Sequence, residues 1–245
     1  MPNPLAQKNK AAGYPIIKGI HPLSLLDWPG KLAGIIFLGG CNFKCGFCHN
    51  PELVLGWNKL PTISQEELYD FLEERKKWLD GVVITGGEPT IFPKLPEFIK
   101  KIKKFGLKVS LQTNGTNPEM LARLLKLNLL DHVAMDIKGA PLRYEEITCT
   151  KVNIANIKKS VDLLIGSKVD YEFRTTVLPL FHEADDMEEI GKFISGAKAY
   201  YLQQFRPEIT LNKKISGEVA YLATDLEKLA KIAGKYVEKC GVRGI

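Results

Sequence analysis

Residues 32–51, LAGIIFLGGCNFKCGFCHNP, run from an apolar stretch of strand length directly into a loop that holds three of the chain's five cysteines. The apolar part lacks polar alternation, as expected of a strand buried on both faces of a parallel sheet. Comparable runs follow at 81–85 (GVVIT), 107–112 (LKVSLQ), 132–137 (HVAMDI), 171–178 (YEFRTTVL) and 199–205 (AYYLQQF). Amphipathic stretches separate them. Ser64 and Glu67 spell a capping box ahead of Leu68, Phe71, Leu72 and Leu79 on one helix face. Leu95, Phe98, Ile99, Ile102 and Phe105 recur at helical spacing and stop at Gly106. Asn117 and Pro118 open a third helix, further helices are expected over about 153–166 and 185–194, and Thr224 with Glu227 spells a second capping box. Six strand-then-helix units imply right-handed crossovers and are too few to close an eight-stranded barrel. The expected α/β architecture is therefore a partial (β/α)6 barrel, an open parallel sheet with outer helices.

The chain of 245 residues is 45% hydrophobic and 25% charged, enough for one sizeable core. We expect a single domain over 1–245, with a core at about 30–206, an N-terminal extension 1–29 and a C-terminal helical segment 207–245. No apolar run approaches the roughly 18 residues of a membrane span, and the N-terminus lacks the apolar stretch of a signal peptide, so a cytoplasmic protein without a membrane role is expected. Five cysteines, three of them clustered, argue for thiol ligands rather than disulfides. Cys149 and Cys240 stand outside any motif and are expected to be small buried apolar residues. The net charge of +6 comes from lysines spread over helix surfaces, a solvated exterior that would also suit an acidic protein partner. No aromatic or motif pattern supports nucleic-acid binding.

Polar motifs sit where the strands end. GGCNFKCGFCHN follows the first strand, GGEP the second and QTNG the third; DIKG ends the fourth, Arg174 lies in the fifth, and QFRP closes the sixth. Each alone is compatible with a plain turn or a surface ion pair. In a parallel α/β sheet, however, the C-terminal strand ends share one rim, where ligands bind. Cys41, Cys45 and Cys48 have the spacing C-x3-C-x2-C, one short of the four protein ligands of structural zinc or a ferredoxin-type cluster. His49 adjoins Cys48 and would have to fold back sharply to serve as a fourth. Three ligands on a four-iron cluster leave one iron open to a substrate or cofactor.

The three-cysteine motif with Phe47 before its last cysteine, followed by GGEP one strand later, resembles the radical S-adenosylmethionine superfamily over about residues 30–206. The resemblance implies one [4Fe–4S] cluster on Cys41, Cys45 and Cys48, with S-adenosylmethionine chelating the open iron. Reductive cleavage of the cofactor would give methionine and a 5′-deoxyadenosyl radical. It also implies cofactor contacts. Gly86 and Gly87 would let backbone approach the methionine ammonium, and Glu88 would fix the turn or help receive that ammonium. Thr113 and Asn114 would serve the methionine or ribose part. Asp136 and Lys138 point to one side of a strand end, and Lys138 and Arg174 would take the carboxylate. His49 and Asn50 would lie near the cofactor.

The segment HPLSLLDWPGKLAGIIFLGGCNFKCGFCHNPEL resembles the anaerobic ribonucleoside-triphosphate reductase activating proteins, while MDIKG and YEFRTTVLP resemble glycyl-radical-enzyme activators more widely, including the pyruvate formate-lyase type. The implied activity is an oxidoreductase that abstracts hydrogen from one glycine of a partner enzyme, expected to be anaerobic ribonucleoside-triphosphate reductase, and the lysine surplus suits an acidic flavodoxin or ferredoxin as electron donor. The alternatives are a pyruvate formate-lyase-type activating enzyme and a radical enzyme acting on a small molecule. Where formate-lyase activators tend to carry Asp before TNG, this chain has Gln112, which removes the carboxylate a cation site there would use. The linker 49–63 is long for its place, and Trp57 within it is a candidate docking anchor or a packing residue.

Overall fold

The computed structural model describes residues 13–245. Its strands are β1 (Ile17–Ser24), β2 (Ala33–Leu38), β3 (Gly81–Gly86), β4 (Lys108–Thr113), β5 (His132–Asp136), β6 (Asp170–Val177), β7 (Tyr200–Gln204) and β8 (Cys240–Arg243). Neighbours in the open sheet follow chain order from β1 to β8. The six expected strands are β2 to β7. Two additional strands flank them. β1 lies antiparallel to β2 with two register shifts, and β8 lies parallel to β7. The helices are α1 (Pro51–Leu55), α2 (Gln65–Arg75), α3 (Leu95–Lys103), α4 (Pro118–Lys126), α5 (Tyr144–Thr148), α6 (Ile154–Ile165), α7 (Ala184–Phe193) and α8 (Ala223–Ala233).

Two compact units interleave along the chain. Among the described residues the first comprises 13–42, Glu52–Thr113 and Glu119–Val133; the second comprises Phe43–Pro51, Asn114–Pro118 and Ala134–Ile245. In the first, β2, β3 and β4 run parallel, pairing Phe37 with Thr85 and Ile84 with Leu111 near their C-terminal ends. The strands are apolar on both faces because both are covered. Ile36, Val82, Val83, Ile84 and Leu111 have no exposed surface. Trp28 plugs the other end, stacked 5.6 Å from the His132 ring, whose Nδ1 lies 2.9 Å from Ser110 Oγ. Ser64 caps α2 through the expected reciprocal box with Glu67.

In the second unit β6, β7 and β8 are parallel. Tyr144, Phe173, Tyr200 and Phe205 fill its core, and the Tyr200 hydroxyl donates to Thr175 Oγ1 at 2.7 Å. Asn153 caps α6 through its side chain. Two expectations for the C-terminal segment need correction. Thr224 and Glu227 form no capping box, because α8 starts two residues earlier, with Leu222 at its N-cap, which gives no side-chain cap. The segment is also not purely helical, since it ends in β8. At the N-terminus, residues 14–29 of the expected extension carry β1, and residues 1–12 lie outside the described part. Among the described residues no helix is long and apolar enough to cross a membrane.

Candidate functional site

In the first unit the start of the cysteine loop is held by backbone. Gly39 N–H donates to Ile16 O at 2.9 Å, and Gly40 N–H to Leu53 O at 2.8 Å. The GGEP turn adds two more bonds, Gly87 N–H to Leu38 O and Glu88 N–H to Gly40 O, each 2.8 Å. Gly86 has φ +117, and a Cβ there would overlap the Leu38 backbone; a Cβ on Gly87 would overlap the Gly40 carbonyl. The paired glycines thus let the turn after β3 lie against the chain that leads into Cys41. Trp57 packs under the same stretch, its Nε1 3.6 Å from where a Gly40 Cβ would stand. Lys18 Nζ lies 5.7 Å over that ring and donates to Leu60 O and Thr62 Oγ1 at 2.9 and 2.7 Å. Trp57 therefore has a packing role, and the segment around it is folded into α1 and a 3-10 turn.

Glu88 is 1% exposed, and its Oε1 accepts from Thr90 N–H (3.0 Å), Thr90 Oγ1 (2.5 Å) and Thr113 Oγ1 (2.7 Å). Of its two expected roles, fixing the turn is the one this geometry performs. Next to Thr113, Gln112 accepts the Thr85 hydroxyl on Oε1 at 2.9 Å, while its Nε2 is buried without a hydrogen-bond partner.

The second unit holds the rest of the cysteine loop. Phe43, Cys45 and Phe47 are buried, and Cys48 N–H turns back to Cys45 O at 3.1 Å. Burial pushes the Cys45 thiol up to about 11, against the pull of the Lys138 ammonium. A strap from the far end of the chain seats on this loop. Asn212 N–H donates to Gly46 O at 2.9 Å, and Ile215 Cδ1 occupies the space a Gly46 side chain would need. His49 stacks on Phe205 at 6.2 Å, and the half-buried Asn50 follows it. Asn114 is buried, and its Oδ1 accepts Thr116 N–H and Oγ1 at 3.1 and 2.7 Å, closing the turn after β4. Cys149 is exposed, contrary to expectation, because it occupies the left-handed position (φ 49) that ends α5; Cys240 is half-buried.

Asp136, Lys138 and Arg174 come together in this unit. Lys138 Nζ lies 3.0 Å from Asp136 Oδ2, while Arg174 Nε and Nη2 hold Oδ1 at 3.1 and 3.0 Å. Burial alone would raise the Asp136 carboxyl, but the two cations outweigh it and hold it below the usual range. Lys138, in contrast, is raised: desolvation opposes its charge, and Asp136, Cys45 and Cys48 more than compensate. Two cations on one carboxylate leave a surplus positive charge.

Sequence reasoning missed Tyr144 and His182, which hold the Lys138 backbone at 3.0 and 2.9 Å. Their partners are peptide groups, so no spacing of polar residues could have announced them. Burial brings His182 down to about 4. Among the described residues no three His, Cys, Asp or Glu side chains are gathered closely enough for a single metal ion.

The radical SAM superfamily profile matches residues 35–194. A Methanocaldococcus jannaschii protein named "Putative glycyl-radical enzyme activating enzyme" is 34% identical over 94% of this chain and 96% of its own. The pyruvate formate-lyase-activating enzyme of Clostridium pasteurianum is 28% identical over 91% of this chain and 95% of that one. Among solved structures, Streptococcus suis SuiB bound to precursor peptide SuiA shares the fold at TM-score 0.65 and 17% identity, across 86% of this chain and 48% of SuiB. This chain spans about half of that structure. By sequence, motif and fold, the chain belongs to the radical SAM superfamily, among the glycyl-radical enzyme activating enzymes.

Proposed function

We propose that this protein holds one [4Fe–4S] cluster on Cys41, Cys45 and Cys48, binds S-adenosylmethionine beside it, and installs a glycyl radical on a partner enzyme. The observation that carries the reading is a loop of three thiols on a chain similar along nearly its whole length to a named activating enzyme. Three thiols fall one short of the four protein ligands of a structural zinc ion, whereas a four-iron cluster held by three keeps one iron open to a cofactor. When bound, the cluster and S-adenosylmethionine supply the electron and the hydrogen-abstracting chemistry.

The chain's own residues would bind and orient. Asp136 fixes Lys138 and Arg174, whose surplus charge suits a ligand carboxylate. The unpartnered Gln112 amide suits a ligand oxygen. Glu88, Thr113, Gly86 and Gly87 shape the turn that meets the cysteine loop, and Ile215 shields Gly46 from water. Phe47, His49, Asn50 and Asn114 complete the cofactor surroundings in this reading.

Anaerobic ribonucleotide reductase is the partner we favour, on the resemblance of the HPLSLLDWPGK lead-in, with an acidic flavodoxin or ferredoxin as electron donor. A formate-lyase-type partner is the second reading, supported by the 28% identity to the Clostridium pasteurianum enzyme. The test is anaerobic reconstitution with S-adenosylmethionine and each partner in turn, read by electron paramagnetic resonance. A glycyl radical on the reductase is expected. A radical on the formate lyase alone selects the second reading, and none on either refutes both.

A further inference from the structure

Lys138 is the second residue past β5, and its peptide groups are gripped from both sides by buried side chains. Its N–H donates to the Tyr144 hydroxyl at 3.0 Å, and its carbonyl lies 2.9 Å from His182 Nε2. The other ring nitrogen settles the tautomer. Nδ1 receives the Leu178 N–H at 3.1 Å, so Nδ1 carries the lone pair and Nε2 the proton, which it donates to Lys138 O. Tyr144 and His182 are both 0% exposed. His182 is itself fixed, its N–H on Leu178 O at 2.9 Å and its carbonyl receiving the Tyr221 hydroxyl at 3.0 Å. The next residue, Gly139, is packed so closely that a Cβ would overlap Ile147 Cδ1.

A lysine side chain has four rotatable bonds, and ordering it on binding costs affinity. Here its far end is tethered to Asp136 and its near end to an immobilised peptide. We propose that His182 and Tyr144 are positioning residues for Lys138, fixing the peptide from which its ammonium projects so that the ammonium meets an anionic ligand group without reorganisation. The proposal rests on the reading of Lys138 as a contact of S-adenosylmethionine.

Two measurements test it. Hydrogen exchange of the backbone amides at 136–140, followed by mass spectrometry on the protein as purified, reads the brace without any ligand. His182→Leu and Tyr144→Phe should each speed it by about tenfold. Equilibrium binding of S-adenosylmethionine to the reconstituted protein reads the consequence. Affinity should fall about tenfold in His182→Leu at unchanged iron content, and His182→Gln, whose Nε2 still donates, should restore it to within about threefold. Wild-type affinity in His182→Leu, or a Gln variant that regains Tm but not affinity, overturns the proposal. If the Leu variant does not fold, Tyr144→Phe, which removes one oxygen, carries the same comparison. A wild-type protein that binds no S-adenosylmethionine refutes the cofactor reading, and unchanged exchange in both variants then still overturns the brace.

Discussion

Arg243 closes on Glu172 with both guanidinium ends, Nη1 and Nη2 each 2.7 Å from a carboxylate oxygen, and lies 3.6 Å over the Tyr201 ring. Three strands, β6, β7 and β8, are tied by that one side chain. The Glu172 side chain is only 5% exposed, so removing its partner strands a buried charge. Arg243→Ala should cost about 2–3 kcal/mol in chemical denaturation, less than a fully buried pair because Arg243 is 27% exposed. Adding Glu172→Gln should recover part of the loss.

Glu88 offers a test of turn against charge. A glutamine keeps an oxygen for Thr90 and Thr113, whereas alanine abandons all three donors. Glu88→Gln should therefore bind S-adenosylmethionine within about threefold of wild type, while Glu88→Ala loses about 2–4 kcal/mol of stability. Strong loss of binding in the Gln variant at normal Tm would return the carboxylate to a role on the cofactor ammonium.

The pH dependence of stability should carry the signature of His182. Its folded value of about 4 lies below the ordinary 6.5, so between those values the unfolded chain binds more protons. Stability is therefore full above about pH 6.5 and falls toward pH 4, by up to about 3 kcal/mol from this residue. Asp136, whose value is lowered, adds loss only further into acid. Urea midpoints measured from pH 4 to 7 should show the slope in wild type and a flatter one in His182→Gln.

Single alanine replacements of Cys41, Cys45 and Cys48 should each abolish iron loading, and those of Cys149 and Cys240 should leave it intact. Gly87→Ala should behave like a cysteine variant, since its Cβ would displace the Gly40 carbonyl next to Cys41. Iron analysis after reconstitution checks both; full loading of Gly87→Ala would show that the loop tolerates displacement.

Much of the fold was legible because the parallel strands must be apolar on both faces, and that need marks β2 to β7 plainly. β1 escaped because IKGIHPLS mixes Gly19 and Pro22 with polar residues, as an irregular edge strand permits. β8 escaped because four residues carry no period. Side chains that meet side chains could also be anticipated: Asp136 with Lys138 followed from their two-residue spacing. Partners of the backbone could not. Tyr144, His182 and Asn212 act on or through peptide groups, and the packing of Trp57 against Gly39 and Gly40 is seen only in the structure.

The strap that seats Asn212 and Ile215 on Gly46 also sets an order of events during synthesis. A chain emerges from its N-terminus and folds as it goes. The thiols at 41–48 are made early, yet the amide that takes the Gly46 carbonyl and the side chain that covers it belong to residues 212 and 215. Until residues 212 to 215 have left the ribosome, the cysteine loop stays uncapped on that side. Delivery of iron to a nascent chain would thus meet an open loop, and delivery to a finished one a loop already roofed.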